Sequence, residues 1–97
     1  MNLTEKSIYS YVALRIRHLR TQKNLSQNEF SQHVNLSRVS IANIEIGNQK
    51  PTLDLIWKLS STFAVNVNYF FPVEADLLEV DGKENAANFL KELKESL

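Results

Sequence analysis

Between Gln27 and Lys50 the chain concentrates side chains that donate hydrogen bonds but break no covalent ones: Gln27, Ser37, Arg38, Ser40, Asn43, Asn48, Gln49 and Lys50. Amides, hydroxyls and cations of this kind hold phosphate oxygens, and a guanidinium can meet two acceptors at once. No carboxylate pair, nucleophile–base grouping or glycine-rich phosphate loop stands at a usable spacing, so an enzyme is not expected. With no cysteine and two isolated histidines, His18 and His33, no disulfide framework, metal centre or cofactor is expected either.

The elements that must carry these residues are helical. Glycine and proline number two each, and apolar residues recur at three and four rather than at two. Ile8, Val12, Ile16 and Leu19 line one face of a first helix, roughly 8–22. Ser26, followed three residues later by Glu29, forms a capping box that starts a second helix with Phe30 and Val34 inward. That helix must stop at Asn35, because a new cap, Ser37, follows two residues on. A third helix, about 38–46, buries Ile41 and Ile44 and ends at Gly47. After Pro51, Thr52 caps a fourth helix over 53–63, with Leu55, Ile56, Leu59 and Phe63 as its stripe. Asn66 then caps a short fifth helix that Pro72 ends.

Charge is sorted along the chain although it sums to zero. Residues 1–72 carry eight Lys and Arg against four Asp and Glu, a balance of +4, whereas 73–97 carry three against seven, a balance of −4. The basic front permits a nucleic-acid partner, and the acidic tail is not suited to phosphate. The composition change at Pro72 divides the chain into a compact unit over 8–72 and an acidic extension over 73–97. In the extension Ala86, Leu90, Leu93 and Leu97 repeat at helical spacing with Phe89 beside them. No run is long and apolar enough for a transmembrane helix, and the N-terminus lacks a signal-peptide layout; no membrane association and a cytoplasmic location are expected.

Two short helices joined by about three residues must cross steeply, and the second can protrude into the roughly 12 Å major groove of DNA. The series is more specific than that geometry. An R-x-x-R opening around Arg17 and Arg20, LSQ at 25–27, LSR at 36–38, I-x-x-I-E at 41–45, Gly47, Pro51 and V-x-x-x-x-F at 65–70 follow in order. From Leu14 to Phe71 the chain resembles the Xre/Cro helix-turn-helix family, similar to phage repressors and restriction–modification controller proteins. The resemblance implies an all-α fold: a five-helix lambda-repressor-like bundle, here with a C-terminal amphipathic helical extension.

It also implies roles. Gln27 resembles the family's phosphate-clamping glutamine. Arg38, at the start of the recognition helix, can reach guanine O6 and N7, worth roughly 1–3 kcal/mol of discrimination, or else hold a phosphate. Val39 and Ala42 would face the groove, against thymine methyls or as plain helix filler, and Asn43 is placed with them as a base contact. Ser37, Ser40, Asn48, Gln49 and Lys50 are placed against the phosphate backbone, with Lys50 alone of the loop residues carrying charge to displace counterions. Arg20 and Glu45 resemble the family's structural ion pair. Asn35 and Ala64 stand where the family usually has glycine; asparagine tolerates left-handed backbone, and alanine has no such excuse.

The extension admits two readings: it folds back on its own domain, or Phe89, Leu90, Leu93 and Leu97 form a dimer face, the choice favoured by symmetric pairing on palindromic DNA. The expected function is a homodimeric, sequence-specific transcriptional regulator bound to double-stranded DNA. The alternative is an antitoxin or interaction protein whose C-terminal region grips a protein partner.

Overall fold

The computed structural model describes the backbone of residues 5–72 and the side chains from Ile8 onward; the extension over 73–97, with Phe89, Leu90, Leu93 and Leu97, lies outside the described residues. Four α-helices follow one another: α1 (Glu5–Gln22), α2 (Gln27–His33), α3 (Arg38–Glu45) and α4 (Leu53–Phe63), and a 3-10 turn (Val67–Phe70) comes after them. There is no strand among the described residues. No helix there is long and apolar enough to cross a membrane.

The starts of α2, α3 and α4 each have a side-chain cap. The Ser26 hydroxyl accepts the Glu29 amide at 3.0 Å while the Glu29 carboxylate accepts the Ser26 amide at 2.8 Å, the reciprocal pair expected from the sequence. Ser37 Oγ accepts the Ser40 amide at 3.0 Å, and Thr52 Oγ1 accepts the Leu55 amide at 3.0 Å. α1 is already formed at Glu5, earlier than the apolar stripe indicated, because Glu5 and Lys6 are good helix formers with nothing apolar to announce them.

The ends are set by residues in left-handed backbone. Asn35 has φ 57°, as its place in the turn required, and lets the Leu36 amide reach back to the Ser31 carbonyl at 3.0 Å. Ala64 has φ 54° and ψ 45°, so the geometry that favours glycine is kept without one. Asn24, with φ 57°, does the same after α1 and was not anticipated from the sequence. Gly47 has φ 84°, and beyond it the amides of Asn48 and Gln49 both donate to the Asn43 carbonyl, at 2.8 and 3.2 Å.

The fifth helix is a 3-10 turn instead of an α-helix. The Asn66 side chain accepts the Asn68 amide at 2.8 Å and its carbonyl accepts the Tyr69 amide at 2.8 Å, which are short-range bonds. With Pro72 just beyond, too few residues remain to establish the longer α-helical ladder.

All these elements close on one core of Val12, Ile16, Leu19, Phe30, Val34, Ile41, Ile44, Leu55, Ile56, Leu59 and Phe70. Each large side chain sealed there is worth roughly 1.5–3 kcal/mol over exposure, which is what binds helices too short to persist alone. Phe63 lies at the margin, its ring 5.4 Å from that of Phe30. Buried Ser31 satisfies its hydroxyl by donating to the Asn28 carbonyl at 2.7 Å.

Candidate nucleic-acid interface

α3 has one face in the core and the other outside. Ile41 and Ile44 are buried, Arg38 and Val39 are exposed, and Ser40, Ala42 and Asn43 are half-buried at the margins. Because Ser37 caps the helix, Arg38 stands in its first turn. Asn48, Gln49 and Lys50 are exposed at the other end of the same helix.

Below this surface lies a polar network. Arg20 grips Glu45 with two nitrogens: Nε donates to Oε2 at 2.6 Å and Nη2 to Oε1 at 3.1 Å. Its third nitrogen, Nη1, donates to the Leu25 carbonyl at 2.9 Å, tying in the loop between α1 and α2. The Arg20 and Glu45 side chains are 14% and 3% exposed, so the expected ion pair is largely sealed from water. Glu45 also accepts from Gln27 Nε2 at 3.1 Å. A carboxylate only accepts, so this contact turns the Gln27 amide nitrogen inward and its carbonyl oxygen outward. That oxygen is 3.5 Å from Arg38 Nη1.

A carboxylate at the C-terminal end of a helix is opposed by the helix dipole, and Glu45 ends α3. Its three hydrogen bonds, two from a guanidinium and one from the first residue of α2, offset that cost. One amide hydrogen of Gln27 is spent on Glu45, and the second is left for another acceptor.

Lys50 is anchored sideways, with its ammonium 5.0 Å from the centroid of the Tyr9 ring on α1. Among the described residues no group of three or more His, Asp and Glu could hold a metal. A cluster on α1 escaped the sequence reading: the Arg15 guanidinium lies 3.7 Å over the Tyr69 ring and its Nε donates to the Tyr69 carbonyl at 2.6 Å. His18 stacks on the same tyrosine, ring centroids 6.3 Å apart. Burial, and then the Arg15 charge, hold His18 below its ordinary pKa of 6.5. Burial pushes the Tyr69 phenol up, and its hydroxyl is enclosed without a hydrogen-bond partner. The only clue was Arg15 and His18 at helical spacing opposite an aromatic whose place in space the sequence does not reveal.

A helix-turn-helix family model, HTH_3, matches residues 16–70, more than half of the chain. The chain belongs to the HTH_3 helix-turn-helix family. It is similar in structure to an HTH_3 family transcriptional regulator from Vibrio cholerae, with 27% identity and a TM-score of 0.66. The similarity covers 80% of this chain and 44% of that one, so the chain spans less than half of the regulator's length. No curated protein matches the chain.

Within this HTH_3 unit the structure brings some of the sequence-predicted residues together and leaves others apart. Gln27, Arg38 and Glu45, distant in sequence, are joined by side-chain contacts that run from exposed Arg38 through Gln27 to the sealed Arg20–Glu45 pair. Val39, Asn48 and Gln49 share exposure with Arg38 but not that network. Ser37 and Ser40 bond each other through their hydroxyls at 3.1 Å, besides the cap. The link from Gln27 to Glu45 was not foreseen: the sequence pointed to both residues, but for separate reasons.

Proposed function

We propose that this HTH_3 chain is a sequence-specific DNA-binding transcriptional regulator that inserts α3 into the major groove. The observation that carries this reading is Arg38, exposed in the first turn of α3 and contacted by a glutamine that a sealed ion pair holds in place. A guanidinium so placed can take guanine O6 and N7 together, while Val39, Ala42 and Asn43 meet neighbouring base edges or methyl groups. Gln27 clamps a phosphate with its second amide hydrogen, and Ser37, Ser40, Asn48, Gln49 and Lys50 contact the same backbone.

The regulator acts as a homodimer on a palindromic operator, with half-sites about one helical turn, ~34–36 Å, apart. Phe89, Leu90, Leu93 and Leu97 of the extension form the dimer face, where an isologous contact needs a self-complementary patch. Binding falls steeply as salt rises, because counterions released from phosphate supply much of the affinity.

Selection of binding sites from random duplexes at two salt concentrations tests this directly. Enrichment of a palindrome, stronger at low salt, is the expected result. Failure to enrich any site, with the protein folded and soluble, would sink the reading.

A further inference from the structure

α1 and the start of α4 leave an apolar groove of about 440 Å³ between them, walled by Ile8, Tyr9, Val12, Leu53, Ile56 and Phe71. Leu53 is 83% exposed and Trp57, one turn further along α4, is 66% exposed. A concave, mostly apolar cleft offers burial to an apolar side chain that can reach it, while single exposed apolar residues need no explanation. The groove is on α1 and α4, neither of which presents Arg38, so DNA binding does not account for it.

The chain itself leaves from one wall. Phe71 lines the groove and Pro72 is the last described residue. The sequence continues VEADLLEV, in which Leu77 and Leu78 are an adjacent apolar pair flanked by Glu74, Asp76 and Glu79. Six residues from Phe71 to Leu77 can span up to roughly 20 Å when extended, well beyond the width of a cleft of this volume. A short tether of this length gives a local concentration in the millimolar range, without the association cost that a separate chain would bear.

We infer that the groove is a docking site for this chain's own Leu77–Leu78 step. The docked step covers Leu53 and the Tyr9 ring and fixes the direction in which the rest of the extension sets out. It leaves Phe89, Leu90, Leu93 and Leu97 for a second subunit, and it does not depend on the DNA-binding reading.

The chain has no cysteine, so paired substitutions in the full-length protein report on the contact without background. Leu53 is exposed enough for Leu53→Cys to fold. Combined with Leu77→Cys or Leu78→Cys and oxidised in dilute solution, at least one pair is expected to close a disulfide within one chain. Leu53→Cys with Leu90→Cys, the comparison pair, is expected to do so at least ten times more slowly. Bridges only between chains would overturn the proposal in favour of a second copy in the groove. Faster closure at Leu90, or no closure at either leucine, would overturn it too. Independently, Leu77→Ser with Leu78→Ser should lower Tm by at least about 4 °C, the scale of one lost contact in a domain this size; an unchanged Tm counts against docking.

Discussion

Gln27 donates its side-chain amide to Glu45 at 3.1 Å, so the glutamine at the start of α2 is oriented by the last residue of α3. The same carboxylate takes two hydrogen bonds from Arg20, so α1, α2 and α3 meet on one side chain. Glu45 therefore serves both stability and orientation, and substitution should separate the two.

Glu45→Ala leaves Arg20 largely buried with only the Leu25 carbonyl as a listener. An uncompensated charge of this kind costs about 3 kcal/mol, the low end for a broken buried pair because the guanidinium keeps some access to water. Urea unfolding of Glu45→Ala, Arg20→Ala and the double variant gives the coupling. A double variant as unstable as the sum of the singles would show that the pair is not a unit.

Arg38→Ala should change base preference at one operator position by roughly 1–3 kcal/mol, whereas Gln27→Ala should weaken every sequence alike. Competition binding against single-base operator variants distinguishes them. An Arg38→Ala protein that ranks all variants as the parent does would rule out base readout by Arg38.

The left-handed positions differ in their remedy. Alanine at φ 54° bears a strain of roughly 1–2 kcal/mol, and glycine's greater chain entropy returns about half, so Ala64→Gly should raise Tm by about 4 °C. Asparagine already tolerates such angles, so Asn35→Gly should be neutral or slightly stabilising and Asn35→Val clearly destabilising. Thermal melts of the three variants settle the order.

Acid should weaken the fold in two steps. His18 is held below 6.5 when folded and returns toward it when unfolded, so the unfolded chain takes up the extra proton and stability falls as pH drops below 6.5. Glu29 is held below its ordinary 4.5, first by the Ser26 amide and then by the Ser26 hydroxyl, so its contribution is present above 4.5 and is lost as pH falls through its lower folded value. His18→Gln should flatten the upper limb of the curve of stability against pH and leave the lower one; an unchanged upper limb would mean that His18 titrates alike in both states.

Much of this was legible because short-range rules dominate it. Ser26, Ser37 and Thr52 announce three helix starts, and the apolar spacing along Ile41, Ile44, Leu55, Ile56 and Leu59 gives their inward faces. The Arg20–Glu45 pair was visible only through family resemblance, since nothing within either helix relates residues so far apart. What stayed hidden depends on distance in space: Gln27 on Glu45, Lys50 over Tyr9, and Arg15 on Tyr69 each join separate elements. The short helix after Asn66 was legible from its cap, but its 3-10 form was not, because a cap signals a start and carries no information on the ladder that follows. Asn24 passed unnoticed for a simpler reason, since an asparagine in a polar stretch looks like any other surface residue.

The amides of Asn48 and Gln49 are both committed to the Asn43 carbonyl. The loop's path is thus written in main-chain bonds, and the two exposed side chains are under no obligation to shape it. That makes positions 48 and 49 interchangeable parts: polar residues of other kinds can be installed there to retune contact with a chosen ligand without re-engineering the scaffold. A library randomised at these two sites should stay folded wherever proline, which would remove one of those amides, is left out, which is a useful property in a starting point for altered recognition.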